Sequence, residues 1–168
     1  VIVIILLAEA TFFHIGNRDL EKAYLKEQNE IQEIESAIKQ KDIEAFGISV
    51  YDMSLGKKLY GKNDKTPFPL ASLAKVMTAA VALADFGEDH LTVISFKALM
   101  QESDYGLLVR EKFRIGDLAR ITLIGSINDG AFALSELSPN FINRINDKAR
   151  KIGMEQAIFL NSTGLDIE

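Results

Sequence analysis

The chain has 168 residues, a formal net charge of -5 at pH 7 and no cysteine. That length suits one domain with a sizeable core, the acidic balance argues against a nucleic-acid partner, and without cysteine there is neither a disulfide framework nor a thiolate metal site. Neither of the two histidines reads as a ligand or a catalytic base: His14 is isolated, and His90 follows a Gly87-Glu88-Asp89 turn.

Val1 to Ala8 is an unbroken apolar run, followed by Glu9 and then Ala10 to Ile15. A membrane span needs about 20 apolar residues, so the expectation for residues 1–16 is the tail of a signal-anchor or uncleaved signal sequence, with Glu9 as its awkward member. A buried strand or helix is the alternative. From Asn17 to Ile43 the chain changes to dense mixed charge without proline or glycine, and Leu20, Tyr24, Ile31, Ile34 and Ile38 recur at helical spacings. This predicts an amphipathic helix over 17–43, and Glu27 breaks its apolar seam. A short stalk or a helix lying on the domain fits that pattern better than a long coiled coil.

Ala45 to Asp52 is rich in strand formers, Met53 to Gly56 turns, and Lys57 to Gly61 runs back, which predicts a hairpin. Two strands are marginal in water, so they must join a larger sheet or pack on helices.

Pro67 and Pro69 hold the next stretch extended, so a helix begins only after them, with Ser72 at its cap or first turn. Leu73 to Leu83 is apolar on nearly every face, the pattern of a helix inside a domain. It nevertheless carries Ser72 and Lys75 at a three-residue spacing, which brings their Cβ atoms to about 5–6 Å on one face. A serine hydroxyl becomes a nucleophile when an adjacent base takes its proton, and burial lowers a lysine pKa toward that role. Two other S-x-x-K pairs occur, Ser36/Lys39 in a charged helical stretch and Ser54/Lys57 around the hairpin turn. Only Ser72/Lys75 has a buried setting; its alternative reading is a cap serine beside a lysine that snorkels from a core helix.

Leu91 to Met100 carries no clear pattern, and Glu102 to Gly106 is a polar loop. Arg114 to Asp117 opens a helix over Leu118 to Ile124, Gly125 to Gly130 forms a polar turn, and Ala131 to Leu137 is apolar again. Ser138-Pro139 reads as a cap and first-turn pair for a helix whose face is Phe141, Ile145, Ala149 and Ile152, stopped by Gly153. Gln156 to Leu160 is expected to be a short strand and Asn161 to Asp166 a turn. Within the interhelical turn, Ser126 and Asn128 offer a hydroxyl and an amide.

Taken in order, the hairpin, the P-x-A-S-x-x-K helix, the Tyr105 to Val109 stretch, S-x-N-D, F-x-x-x-x-N-x-K-A-x-x-x-G-M and N-x-x-G-L-D form a pattern. From about Ala45 to Asp166 it resembles the serine-type D-alanyl-D-alanine carboxypeptidases, the low-molecular-weight penicillin-binding proteins. The resemblance implies an α/β (α+β) fold of the β-lactamase/transpeptidase-like kind, an antiparallel sheet packed with helices plus a helical subdomain. Residues 44–168 would be the N-terminal part of the catalytic domain, behind the 17–43 stalk, with an incomplete sheet.

The same resemblance implies that Ser72 attacks a D-Ala-D-Ala carbonyl with Lys75 as base. Ser126 would relay a proton to the leaving amine, Asn128 would hold the substrate amide, and the Ser72 N–H would contribute to an oxyanion site. The implied partners are peptidoglycan stem peptides and β-lactam inhibitors at the outer face of the cytoplasmic membrane, with no metal or cofactor. Two departures stand out. No K-T-G, the family's third element, occurs within these residues, so the expectation is a partial chain that is inactive alone; and Ile127 is bulkier than the small residue usual there. Two rivals are a class A β-lactamase, for which Glu136 and Asn140 have the right mutual spacing, and a catalytically inactive membrane-tethered module of the same fold.

Overall fold

The computed structural model describes residues 2–41, 43–54, 56–102 and 106–165, with side chains from Arg18 onward except Asp19. They fall into two compact units, Val1–Thr66 and Pro67–Glu168.

In the first unit a single helix, α1 (Ile2–Lys39), runs without a break through the point where the apolar run gives way to charge. Ile31, Ile34 and Ile38 are half-buried, whereas Leu20 and Tyr24 are 70% and 60% exposed, so the apolar seam works only in the last turns. α1 packs against β2 (Lys57–Lys62), which forms a hairpin with β1 (Ile48–Asp52). Glu27, which interrupts the seam in sequence, accepts a hydrogen bond from Lys57 at 2.8 Å, so it ties the helix to the hairpin. The hairpin is antiparallel, with Ile48 opposite Lys62, Asp52 opposite Lys57 and a bulge at Val50/Tyr51. Its turn begins with the Ser54 N–H donating to the Asp52 carboxylate at 2.8 Å. The membrane segment expected over residues 1–16 falls outside the described side chains. Among the described residues no helix is long and apolar enough to cross a membrane.

The second unit is built on α2 (Ala74–Phe86). Packed against it are α3 (Ile115–Gly125), α4 (Asn128–Ser135) and α5 (Phe141–Lys151). The contacts are made by small side chains, Ala74, Ala79, Ala82, Ala119, Ala133 and Ala149, that let the backbones approach, and by Leu118, Leu134, Phe141 and Ile145, which fill the remaining space. Each of those four large side chains contributes about 1.5–3 kcal/mol by leaving water. A second two-stranded antiparallel sheet pairs β3 (Leu91–Val93) with β4 (Lys112–Arg114) at the rim. Val76 and Leu83 on α2, and Leu73 just before it, remain exposed, so the helix is covered on one side and open on another.

Three local expectations need correction. Gln156 to Leu160 is a loop, because the N–H and C=O of Phe159 bond to the side chain of Asn146 on α5, at 2.9 and 2.8 Å, in place of a neighbouring strand. The turn between α3 and α4 is only Ser126-Ile127, since α4 already begins at Asn128. Gly130, taken as a turn residue, is inside that helix, where an added Cβ would lie 2.1 Å from the Thr122 hydroxyl of α3. Finally, α5 starts at Phe141, and Pro139 is in the turn before it, with the Asn140 N–H donating to Ser138 Oγ at 3.3 Å.

Asn146→Ala removes both bonds to Phe159 and leaves a half-buried peptide without partners, an expected loss of about 2 kcal/mol. Urea unfolding should show a lower midpoint with an unchanged slope.

Candidate active site

The approach to α2 is a short tight turn, Ala71–Leu73, that runs directly into the helix. Ser72 is in this turn, and no side chain caps α2, so its hydroxyl is not spent on the helix N-terminus. It receives the Lys75 amine at 2.9 Å, as the three-residue spacing predicts. The two groups differ in exposure: Ser72 is open to solvent while Lys75 is 1% exposed. A hydroxyl reachable from outside is thereby backed by an amine shut away from water. Burial pushes the Lys75 pKa below its ordinary value of 10.5, because the charged amine loses hydration there. The neutral amine needed to accept a proton becomes more accessible near physiological pH.

Lys75 has a second partner, the carbonyl of Thr163, which accepts at 3.0 Å. One turn further along α2, Thr78 donates its hydroxyl to the Ser162 carbonyl at 2.8 Å. In sequence Asn161 to Asp166 is a turn and a family mark, and nothing there shows that Ser162 and Thr163 form a wall of this site. The available signal was an asparagine followed three residues later by glycine, a pattern for a side-chain-closed turn.

Ser126 ends α3 in a left-handed conformation, φ 53°, ψ 38°, and is half-buried. Asn128, 6% exposed, donates its amide to the carbonyl of Glu102 at 2.9 Å. Both belong to the α3–α4 connection on helices packed against α2, but among the described residues no hydrogen bond joins either to Ser72 or Lys75. Ile127 is buried, so its bulk is absorbed by the core. The structure thus joins the first pair by a direct hydrogen bond, and places the second on helices that pack against the same α2.

The other candidates have different occupations. Ser54 donates to Asp52 at 2.6 Å, Lys57 pairs with Glu27, and Lys39 stands 4.0 Å from Glu35 on the surface of α1. His90 lies beside the Phe86 ring, with centroids 6.2 Å apart. Glu136 and Asn140 are both exposed, at the two ends of the α4–α5 turn.

Comparison with known proteins identifies the family and the fold. The sequence profile of the family described as D-alanyl-D-alanine carboxypeptidase matches residues 34–168. A D-alanyl-D-alanine endopeptidase of Pseudomonas aeruginosa is 28% identical over 135 residues, covering 76% of this chain and 44% of the relative. A D-alanyl-D-alanine carboxypeptidase of Francisella tularensis superposes with a TM-score of 0.68 at 26% identity, over 76% of this chain and 33% of that one. A penicillin-binding protein of Listeria monocytogenes, solved with ampicillin bound, gives 0.62 at 29% identity, over 76% and 55% respectively. The fold is therefore the penicillin-binding protein fold in part, mixed helices with small antiparallel sheets, and the chain spans between a third and just over a half of these relatives. With its buried Lys75 against an exposed Ser72 and a profile match over most of its length, the chain belongs to the D-alanyl-D-alanine carboxypeptidase family.

Proposed function

We propose that the protein is a serine D,D-peptidase that cleaves the D-Ala-D-Ala end of peptidoglycan stem peptides through an acyl-enzyme on Ser72. The reading is carried by one observation, the 2.9 Å hydrogen bond between an exposed serine and a fully buried lysine with a lowered pKa. In the first step the neutral Lys75 amine takes the Ser72 proton as Oγ adds to the carbonyl of the penultimate D-alanine. Collapse of the tetrahedral intermediate expels the terminal D-alanine, whose amine takes up a proton through Ser126, while Asn128 holds the peptide amide. Water then cleaves the ester and restores Ser72. β-Lactams enter by the same attack on their ring carbonyl.

The full-length gene product, given a pentapeptide ending in D-Ala-D-Ala, should release one D-alanine per peptide, and Ser72→Ala should stop the release. Release that survives Ser72→Ala, or none from the wild-type protein, overturns the reading. We also place Val1 to Ile15 in the cytoplasmic membrane with the remainder outside it, where stem peptides are; the support is the apolar run itself. Recovery of the native protein in the cytosolic fraction would remove that placement.

A further inference from the structure

We propose that Asn161 is a positioning residue for the Ser72–Lys75 pair, acting through the backbone of Ser162, Thr163 and Gly164; this rests on the acyl-enzyme reading above. The Asn161 carboxamide closes its own loop. Its Oδ1 accepts from the Thr163 N–H at 3.0 Å, the Thr163 hydroxyl at 3.1 Å and the Gly164 N–H at 2.6 Å. Its Nδ2 donates to the Leu165 carbonyl at 2.6 Å, and the Leu165 N–H returns to Thr163 Oγ1 at 3.2 Å. One side chain therefore fixes the orientation of the consecutive peptide units between them.

Those units meet the catalytic helix at three points. The Ser162 carbonyl accepts from Thr78 and the Thr163 carbonyl from Lys75, two donors on the same face of α2. Gly164 abuts the peptide just before the nucleophile, where an added Cβ would lie 1.8 Å from the Ala71 oxygen. Ala71 itself is held at φ 45°. The loop thus grips the pair from both sides, the base directly and the nucleophile through the residue that precedes it.

The Thr163 carbonyl has a particular consequence for the base. A carbonyl oxygen can only accept, so it must receive a Lys75 N–H. In the neutral amine that leaves one further N–H and the lone pair for the position facing Ser72 Oγ, 2.9 Å away, so the amine can present its lone pair to the hydroxyl without giving up Thr163. Ser162 and Thr163 are 2% and 3% exposed, so the loop also keeps water from this amine. Releasing it both frees the amine to rotate and admits water that favours the charged form.

The test is the second-order rate of Ser72 acylation by a fluorescent penicillin, measured from neutral to alkaline pH in the full-length gene product. Asn161→Ala should lower the rate at neutral pH by about a hundredfold, the scale of a small misplacement of reacting groups, and should move the acid limb of the profile to higher pH. Asn161→Asp retains the acceptor oxygen and should recover to within about tenfold of wild type at the alkaline plateau. A plateau that falls with the limb unmoved would mean a merely structural role and would overturn the proposal, as would an unchanged profile. If Asn161→Ala does not fold, Asn161→Ser is read by the same two criteria. A wild-type protein that is not labelled on Ser72 removes the acyl-enzyme reading itself, whereas a labelled wild type with an unchanged Asn161→Ala removes only the role of Asn161.

Discussion

Lys75→Arg should abolish acylation of Ser72, lowering its rate by about 10³-fold or more while the fold is retained, because a positioned general base contributes on that order. Arginine keeps the positive charge and can still donate to the Thr163 carbonyl, but it stays protonated at any working pH. The substitution therefore separates a base from a mere cation. If Lys75 were only a charge that steers an anionic substrate, arginine would serve nearly as well. The wild-type profile carries the same logic. Acylation should rise with pH through the Lys75 pKa, and since burial lowers that pKa below 10.5, the rise should come earlier than for an exposed lysine. The effect on stability has the same sign. Between the lowered folded value and the ordinary unfolded one, the unfolded chain binds more protons at Lys75, so its contribution to stability grows with pH across that window.

Gly164→Ala should cost about 3 kcal/mol, combining a left-handed conformation that alanine resists with overpacking against backbone. Gly164 has φ 79°, and the atoms its Cβ would strike are the Ala71 carbonyl oxygen at 1.8 Å and carbon at 2.5 Å. Backbone cannot swing aside as the end of a side chain can. Gly153 is the control, since it shares a positive φ, 85°, but has nothing within 4 Å of an added Cβ. Gly153→Ala should lose only about 1 kcal/mol, the conformational part alone. Urea midpoints at constant slope measure both. The larger loss should come with slower acylation of Ser72, because relief of the clash pulls the Thr163 carbonyl away from Lys75.

What was legible in the sequence follows from the range of the interactions involved. The start of α2 was marked locally by Pro67 and Pro69, and Ser72 and Lys75 meet because both are on one helical turn. The hairpin was equally local, with its turn residues between two short runs. Glu27 looked like a flaw in a coiled-coil seam because its partner, Lys57, is thirty residues away. Gln156 to Leu160 has the apolar content of a strand, and nothing in it reveals that Asn146 takes the backbone bonds of Phe159. Gly130 was read as a turn former, although its lack of a Cβ is used for close approach to Thr122. The contact of Thr163 with Lys75 spans 88 residues, beyond any local pattern, so only the family resemblance drew notice to that loop. Ser126 and Asn128 are legible as a motif, and their helices do pack on α2.

The most direct measurement is to treat the full-length gene product with benzylpenicillin, digest it with trypsin and locate the adduct by mass spectrometry. Cleavage after Lys65 and Lys75 releases the peptide Thr66 to Lys75, in which Ser72 is the sole serine. The account predicts one benzylpenicilloyl group per protein, carried by this peptide and placed on Ser72 by fragmentation, and none in Lys75→Arg. An adduct on any other residue, or an unmodified peptide in a folded protein after prolonged treatment, would contradict it.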